Sequence, residues 1–253
     1  MNDEREKLIG ELVKRSYEDP YVVSRYTSVG LWPAEEIIVV EFFPDEAFVL
    51  DLGCGAGRTS IALAELGMQV VGIDISETMI QVAQDQASRA QVEVDHQVMD
   101  SRRLDFADNS FNIVLYSYNG LELVPGMAGK RAVLQEVYRV LKPGGRFIFT
   151  THSLFACNRF AVFRLLSFLR FCAGRFLGLP VREQELGERF SDHPEEEVKY
   201  LQVLPPFLWL RALRQCGFEI RYFNTHRRLE KGKKWGFPGH FEDGERFYVA
   251  QKS

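Results

Sequence analysis

The sequence predicts an α/β fold in which strands and helices alternate around an open sheet. Three observations carry that prediction. Short apolar runs of strand length alternate with stretches of helical periodicity from 49 to 151. The first run, Val49-Leu50-Asp51-Leu52, enters Gly53-Cys54-Gly55-Ala56-Gly57-Arg58, where glycines occupy alternate positions. The second run, Val70-Val71-Gly72-Ile73, ends in the carboxylate of Asp74. In an open parallel sheet, ligands sit beyond the carboxyl ends of the strands, so both features point to one site.

Taken in order, residues 1–45 read as a helical segment. Leu8, Ile9, Leu12 and Val13 form an apolar stripe, and Pro33 opens a second helix at Ala34-Glu35-Glu36-Ile37-Ile38. The glycine turn removes side chains where a backbone must approach a ligand, and it tolerates positive φ. A helix follows over 59–66. Asp74, at a strand end, can accept hydrogen bonds from both hydroxyls of a ribose. A dinucleotide fingerprint needs G-x-G-x-x-G, whereas this turn reads G-x-G-x-G with Arg58 where the third glycine would fall.

A third strand is expected over 92–98, followed by Met99-Asp100-Ser101 and the polar stretch 104–111. A fourth strand runs over 112–117. A helix over 133–141 carries Val133, Leu134, Val137, Val140 and Leu141 on one face. Lys142-Pro143-Gly144-Gly145 stops it, because proline cannot continue a helix and glycine supplies the turn, and a fifth strand follows over 146–151. A helix over 206–216 and two further strands, 218–224 and 246–251, close the chain.

Together these segments resemble the class I S-adenosylmethionine-dependent methyltransferases, closely over 49–152 and loosely over 217–252. The carriers are VLDLGCGAGR, the acid after the second strand, the Asp100 stretch and VYRVLKPGGRFIFTTH. The resemblance implies a Rossmann-like sheet of seven mostly parallel strands in the order 3-2-1-4-5-7-6, the last strand antiparallel. It implies S-adenosylmethionine as cofactor. Gly53, Cys54, Gly55 and Gly57 would form the turn around the methionine part, with Asp51 supporting it. Asp74 would bind the ribose, Ile75 and Met79 flank the adenine, and Asp100 read its amino group with Ser101 beside it. Tyr116 and Ser117 would end the fourth strand under the sulfonium. The N-terminal segment would fold over the cofactor; Tyr17, Tyr21, Tyr26 and Trp32 then either line the site or simply pack onto the core.

Acceptor activation is less marked. His152 follows the fifth strand at the ligand edge, where an imidazole can remove a proton from a hydroxyl or ammonium acceptor or be a satisfied loop residue. Tyr118, Asn119 and Glu122 follow the fourth strand and can orient an acceptor. Tyr116-Ser117-Tyr118-Asn119 departs from the Asp/Asn-Pro-Pro-aromatic signature of nucleic-acid and protein-amide N-methyltransferases, and the Pro-Cys nucleophile of cytosine-C5 enzymes is missing.

A long stretch, 152–205, separates the fifth strand from the next recognisable helix, and stretches of that length carry function or structure of their own. Drawn as one helix, 154–177 places Leu154, Phe155, Val162, Leu165, Leu166, Phe168, Leu169 and Phe176 on one half. Arg159, Arg164, Arg170 and Arg175 fall on the other, among Phe160, Phe163 and Phe171. A hydrophobic substrate cap is the first reading; peripheral contact with an anionic membrane and a dimer surface are the others. The arginines exclude a transmembrane span. Two charge runs follow: 192–197 reads as a solvated helix start, and 227–234 as an exposed hairpin loop.

Composition bounds the rest. A chain of 253 residues, 46% apolar, suffices for one domain over 1–253. The net charge of −4 argues against nucleic-acid binding, which needs a basic face. Four cysteines without a C-x-x-C pattern suggest neither a metal site nor a disulfide framework. The start, Met1 to Lys7, is charged and lacks a signal-peptide core, so a reduced cytoplasmic setting is expected. The leading functional reading is a methyltransferase acting on O, N or C of a small apolar or amphipathic acceptor. The alternative is a catalytically idle cofactor-binding module that works through its hydrophobic insertion.

Overall fold

The computed structural model describes residues 2–192 and 199–253. Helices α1 (Asn2–Ser16), α2 (Pro20–Arg25) and α3 (Pro33–Phe42) precede the alternating core. That core runs β1 (Phe48–Leu52), α4 (Arg58–Glu65), β2 (Gln69–Asp74), α5 (Glu77–Ala90), β3 (Asp95–Val98), β4 (Phe111–Tyr116), α6 (Gly126–Val140) and β5 (Leu141–Thr151). After β5 come α7 (Ala161–Leu177) and a small hairpin, β6 (Glu188–Phe190) with β7 (Tyr200–Gln202). The chain ends with α8 (Pro206–Gln215), β8 (Phe218–Thr225), α9 (His226–Glu230) and β9 (Arg246–Lys252).

The main sheet has seven strands in the order β3-β2-β1-β4-β5-β9-β8. The first five are parallel, while β9 runs antiparallel between β5 and β8. With the insertion hairpin set aside, this is the expected order 3-2-1-4-5-7-6. Both faces are covered. Leu50 and Leu52 of β1 pack with Phe147 and Phe149 against Val133, Leu134 and Val137 of α6 and Trp209 and Leu213 of α8. Val49, Ile113, Ile148 and Val249 pack against Ile38 and Val39 of α3 and Leu63 of α4. The alternation along each strand is the period-two rule, and burial on both faces explains the near-continuous apolar runs.

Several boundaries differ from expectation for local reasons. β3 begins at Asp95 because Gln91 takes a left-handed conformation (φ 57°) and the Val92 N–H bonds back to the Ala87 carbonyl at 3.1 Å, closing α5. α6 starts at Gly126, ahead of the apolar stripe. β5 starts at Leu141, which pairs with Phe111 across a bulge. The expected helix over 154–177 is helical only from Ala161. Before it, Ser153 Oγ accepts from the Phe155 N–H and Asn158 Oδ1 from the Phe160 N–H, both at 3.1 Å; such local bonds compete with helix. The basic loop over 227–234 opens with α9, capped by Thr225, whose Oγ1 accepts from the Arg228 N–H at 3.3 Å. Of the acidic run 192–197, residues 193–197 lie outside the described residues. Among those described, no helix is long and apolar enough to cross a membrane, and all four cysteines are free.

A candidate cofactor groove and an adjoining chamber

The β1–α4 turn and the end of β2 build a groove at the carboxyl edge of the sheet. Gly55 adopts φ +54°, and a Cβ there would project into open space, leaving the turn's inner surface bare backbone. At Gly53 (φ +60°) a Cβ would lie 2.8 Å from the Tyr116 ring, so only glycine lets that ring close over the turn. Asp74 fastens the two strand ends together. Its Oδ2 accepts from the Gly55 N–H at 3.0 Å and its Oδ1 from the Ser76 N–H at 2.9 Å. Burial raises the Asp74 pKa, and those backbone donors pull against it.

The groove has two ends that share Tyr17, Gly53, Tyr116 and Leu123. The end at Asp74 encloses about 90 Å³ and is walled by Ile75, Asp100 and Ser101, with Gly10 and Val13 of α1 above. The end at the glycine turn, also about 90 Å³, is walled by Cys54, Gly55, Met79, Tyr118 and Tyr26. Met79 lines the turn end, fully buried with Ala56 and Val23, while Ile75 lines the Asp74 end. Asp51 lies beneath the groove, off its walls. Its carboxylate takes the Thr59 hydroxyl, and burial lifts its pKa to about 7. The Cys54 thiol is pushed up by burial as well, which leaves it an inert small residue. Asp100 reaches the groove while forked to Arg102, whose Nη2 lies 2.7 Å from Oδ2. Tyr116 Oη lies 3.5 Å from Ser101 Oγ.

The N-terminal helices do cover the groove. Tyr17, Tyr26, Tyr118 and Trp32 form a chain of edge-to-face rings with centroids 4.9–5.8 Å apart; Tyr21 stays exposed. Two residues that sequence reasoning passed over hold this cover. The Arg58 guanidinium donates to both oxygens of Glu35 at 2.7 Å, reaches the Gly30 carbonyl at 2.8 Å and lies 4.2 Å from the Trp32 ring centroid. Glu35 also accepts from the Trp32 N–H at 2.8 Å and from the Ser117 hydroxyl. Pro33 with a Glu three residues past the cap position was the legible signal for Glu35. A further tie, Arg5 to the buried Glu188 at 2.7 Å, joins α1 to the insertion.

Beyond β4, Tyr118 (φ 50°) and Asn119 (φ 63°) take consecutive left-handed conformations, which cost non-glycine residues about 1–2 kcal/mol each. Among the described residues the buried Asn119 Oδ1 has no hydrogen-bond partner. The turn Gly120–Glu122 then separates the groove from a second cavity of about 220 Å³. Glu122 and His152 wall that chamber together with Phe160, Phe163 and Arg164 beside α7 and with Leu201 and Val203 of the hairpin side. Of the arginines on α7, Arg164 faces the chamber, beside Phe163 and Ser167. The expected candidates are divided: Tyr118 stands at the groove, His152 in the chamber.

Glu122 is buried and accepts from both the His152 backbone N–H and its ring, with Nδ1 3.0 Å from Oε2. Burial opposes charge on the ring, but the Glu122 carboxylate outweighs it and raises His152 to about 9. At neutral pH the ring is therefore a hydrogen-bond donor, and it can accept a proton only above that value. Because the folded pKa exceeds the unfolded value of about 6.5, the pair's stabilisation is complete below pH ~6.5 and is lost as pH rises through about 9. In Glu122→Gln the titration midpoint of His152, followed by NMR, should fall from about 9 toward 6.5. An unchanged midpoint would show that Glu122 does not hold the charge.

Seven strands in this order, with a glycine turn after the first and an acid ending the second, form the Rossmann-like fold of class I S-adenosylmethionine-dependent methyltransferases. The residues fit that cofactor: Gly55 offers a bare cradle, and Asp74 a carboxylate held at the groove. Residues 49–145 match the family model described as a methyltransferase domain. It is 34% identical over 103 residues to a ubiquinone biosynthesis O-methyltransferase of Coxiella burnetii, covering 41% of this chain and 42% of that protein. It is 30% identical over 153 residues to a demethylmenaquinone methyltransferase of Symbiobacterium thermophilum, covering 58% of this chain and 59% of that protein. The chain thus spans about half the length of these curated relatives. The solved structure of an S-adenosylmethionine-dependent methyltransferase from Methanosarcina mazei shares the fold, with a TM-score of 0.69 and 24% identity over 88% of this chain and 99% of that one.

Proposed function

We propose that the protein transfers a methyl group from S-adenosylmethionine to O, N or C of a small apolar or amphipathic acceptor. The observation that carries this reading is that the Gly120–Glu122 turn joins groove and chamber, giving Gly120 to the one and Glu122 to the other. When bound, the cofactor supplies an electrophilic methyl carbon on a sulfonium. Asp74 and Asp100 hold its adenosine part, and the glycine turn leaves room for its methionine part. Tyr17, Tyr26 and Tyr118 present aromatic faces and exclude water at the turn end, which suits a cation whose charge disperses during reaction. Positioning of this kind supplies roughly 7–11 kcal/mol of barrier reduction when geometry is right.

In the chamber, Phe160, Phe163, Leu201 and Val203 suit an apolar acceptor body, and the charged His152 suits an acceptor oxygen or oxyanion. Relatives named as a ubiquinone biosynthesis O-methyltransferase and a demethylmenaquinone methyltransferase support such an acceptor class. Thermal unfolding with saturating ligands tests the cofactor half. A ligand at a hundred times its dissociation constant stabilises by about 2.7 kcal/mol, so S-adenosylmethionine and S-adenosylhomocysteine should each raise the midpoint by roughly 5–10 °C. A rise with NADH alone would overturn the reading. Release of S-adenosylhomocysteine across a set of hydroxylated apolar compounds tests the other half; binding without turnover would favour the idle module.

A further inference from the structure

We propose that α7 docks the protein onto an anionic phospholipid surface, lying in the plane of the interface. The observation is a helix that wears its apolar half outside. Of α7's residues only Ser167 is buried. Val162, Leu165, Leu166, Phe168, Leu169, Phe176 and Leu177 stand exposed, from 41% at Phe168 to 76% at Phe176. The opposite side is engaged by the protein: Arg164 donates to the Leu154 and Ala156 carbonyls and to Asn158, and Arg170 reaches the buried Glu183 at 3.5 Å. Single exposed apolar residues are ordinary, but a contiguous face of them marks an interaction site.

A second pair of exposed rings is tied to the segment that leads into α7. The Cys157 N–H bonds to the Phe241 carbonyl at 2.8 Å, and Phe241 packs its ring on exposed Phe237 with centroids 5.7 Å apart.

Charge selects the occupant. Between 153 and 182 the chain carries Arg159, Arg164, Arg170, Arg175 and Arg182 and no Asp or Glu, in a protein of net charge −4. Exposed Arg159, Arg170 and Arg175 flank the apolar side chains, and exposed Lys231, Lys233 and Lys234 immediately precede the Phe237 turn. Apolar side chains bordered by cations match an anionic lipid interface. A second copy fits worse, because a two-fold contact through this face would set exposed Arg159 and Arg175 against the same arginines of the other copy, and the segment 153–182 supplies no acid to meet them. At about 25 Å for seventeen residues, α7 lies on a surface and does not cross it. Its other side walls the chamber through Phe163 and Ser167, so an amphipathic acceptor held in the bilayer would have a short route to His152. That consequence rests on the function proposed above; the docking does not.

The test is co-sedimentation of the full chain with vesicles of phosphatidylcholine alone or with one quarter phosphatidylglycerol, at low and high salt. Wild type should pellet with the anionic vesicles at least about tenfold more than with the neutral ones, less so at high salt. Leu165→Glu with Leu169→Glu, both at exposed positions, should stay in the supernatant with unchanged thermal unfolding and an unchanged cofactor shift. Wild type remaining in the supernatant with anionic vesicles, or the double variant pelleting like wild type, would overturn the docking. So would a wild-type dimer by gel filtration that the double variant converts to monomer without any vesicle binding. Loss of the cofactor shift in wild type would instead count against the proposed function and leave the docking result standing.

Discussion

Arg58→Ala should lower the unfolding midpoint by roughly 6–20 °C. The arginine occupies the position that distinguishes this glycine turn from a dinucleotide fingerprint, and the structure gives it a task there. It is the cation facing Glu35, whose side chain is only 5% exposed. Removing one partner of a buried ion pair leaves an uncompensated charge and costs about 3–5 kcal/mol. For a domain of this size each kcal/mol moves the midpoint by roughly 2–4 °C. Loss of the stacking on Trp32 and of the Gly30 contact adds to the effect and loosens α3 from the turn. A double-mutant cycle with Glu35→Gln checks the cause: neutralising the carboxylate should recover part of the loss, since contacting residues are not additive. A change of less than about 2 °C in Arg58→Ala, measured by calorimetry, would mean that the pair holds nothing together.

Asp74→Ala should weaken binding of S-adenosylmethionine and S-adenosylhomocysteine by roughly 10–150-fold in titration calorimetry. A hydrogen bond to a charged group is worth about 1.5–3 kcal/mol net, and every 1.4 kcal/mol is tenfold. The same substitution frees the Gly55 and Ser76 N–H groups, which now hold the turn against β2. Asp74→Asn keeps an oxygen for one of these donors and should lose less. Equal affinity in wild type and Asp74→Ala would remove Asp74 from the site and the ribose assignment with it.

Much of the fold was legible because its signals are local. Apolar runs bounded by Gly and Pro mark strands wherever both faces of a sheet are buried, whereas the order of the strands came from the resemblance to the methyltransferase family. Failures occurred where side chains outbid periodicity. Ser153 and Asn158 bond to nearby backbone and delay α7 to Ala161, and Gln91 closes α5 in a left-handed turn that shortens β3. The polar start of α6 gave no stripe, yet Lys130 there is buried, with its amine on the Val124 carbonyl and its pKa drawn down by burial to about 7.

By itself the sequence determined the α/β class and the glycine turn with Asp74, because both depend on residues close together along the chain, and its resemblance to a family pointed to the cofactor. Only the tertiary structure decided which distant residues meet. Glu35 finds Arg58 and Ser117 across 23 and 82 positions, and Glu122 finds His152 across 30. It also decided which half of α7 faces water. A helical wheel separates two sides without orienting them, and here the carbonyls that Arg164 reaches and the ion pair of Arg170 to Glu183 hold one side to the protein and leave Leu165, Leu166, Phe168 and Leu169 outside.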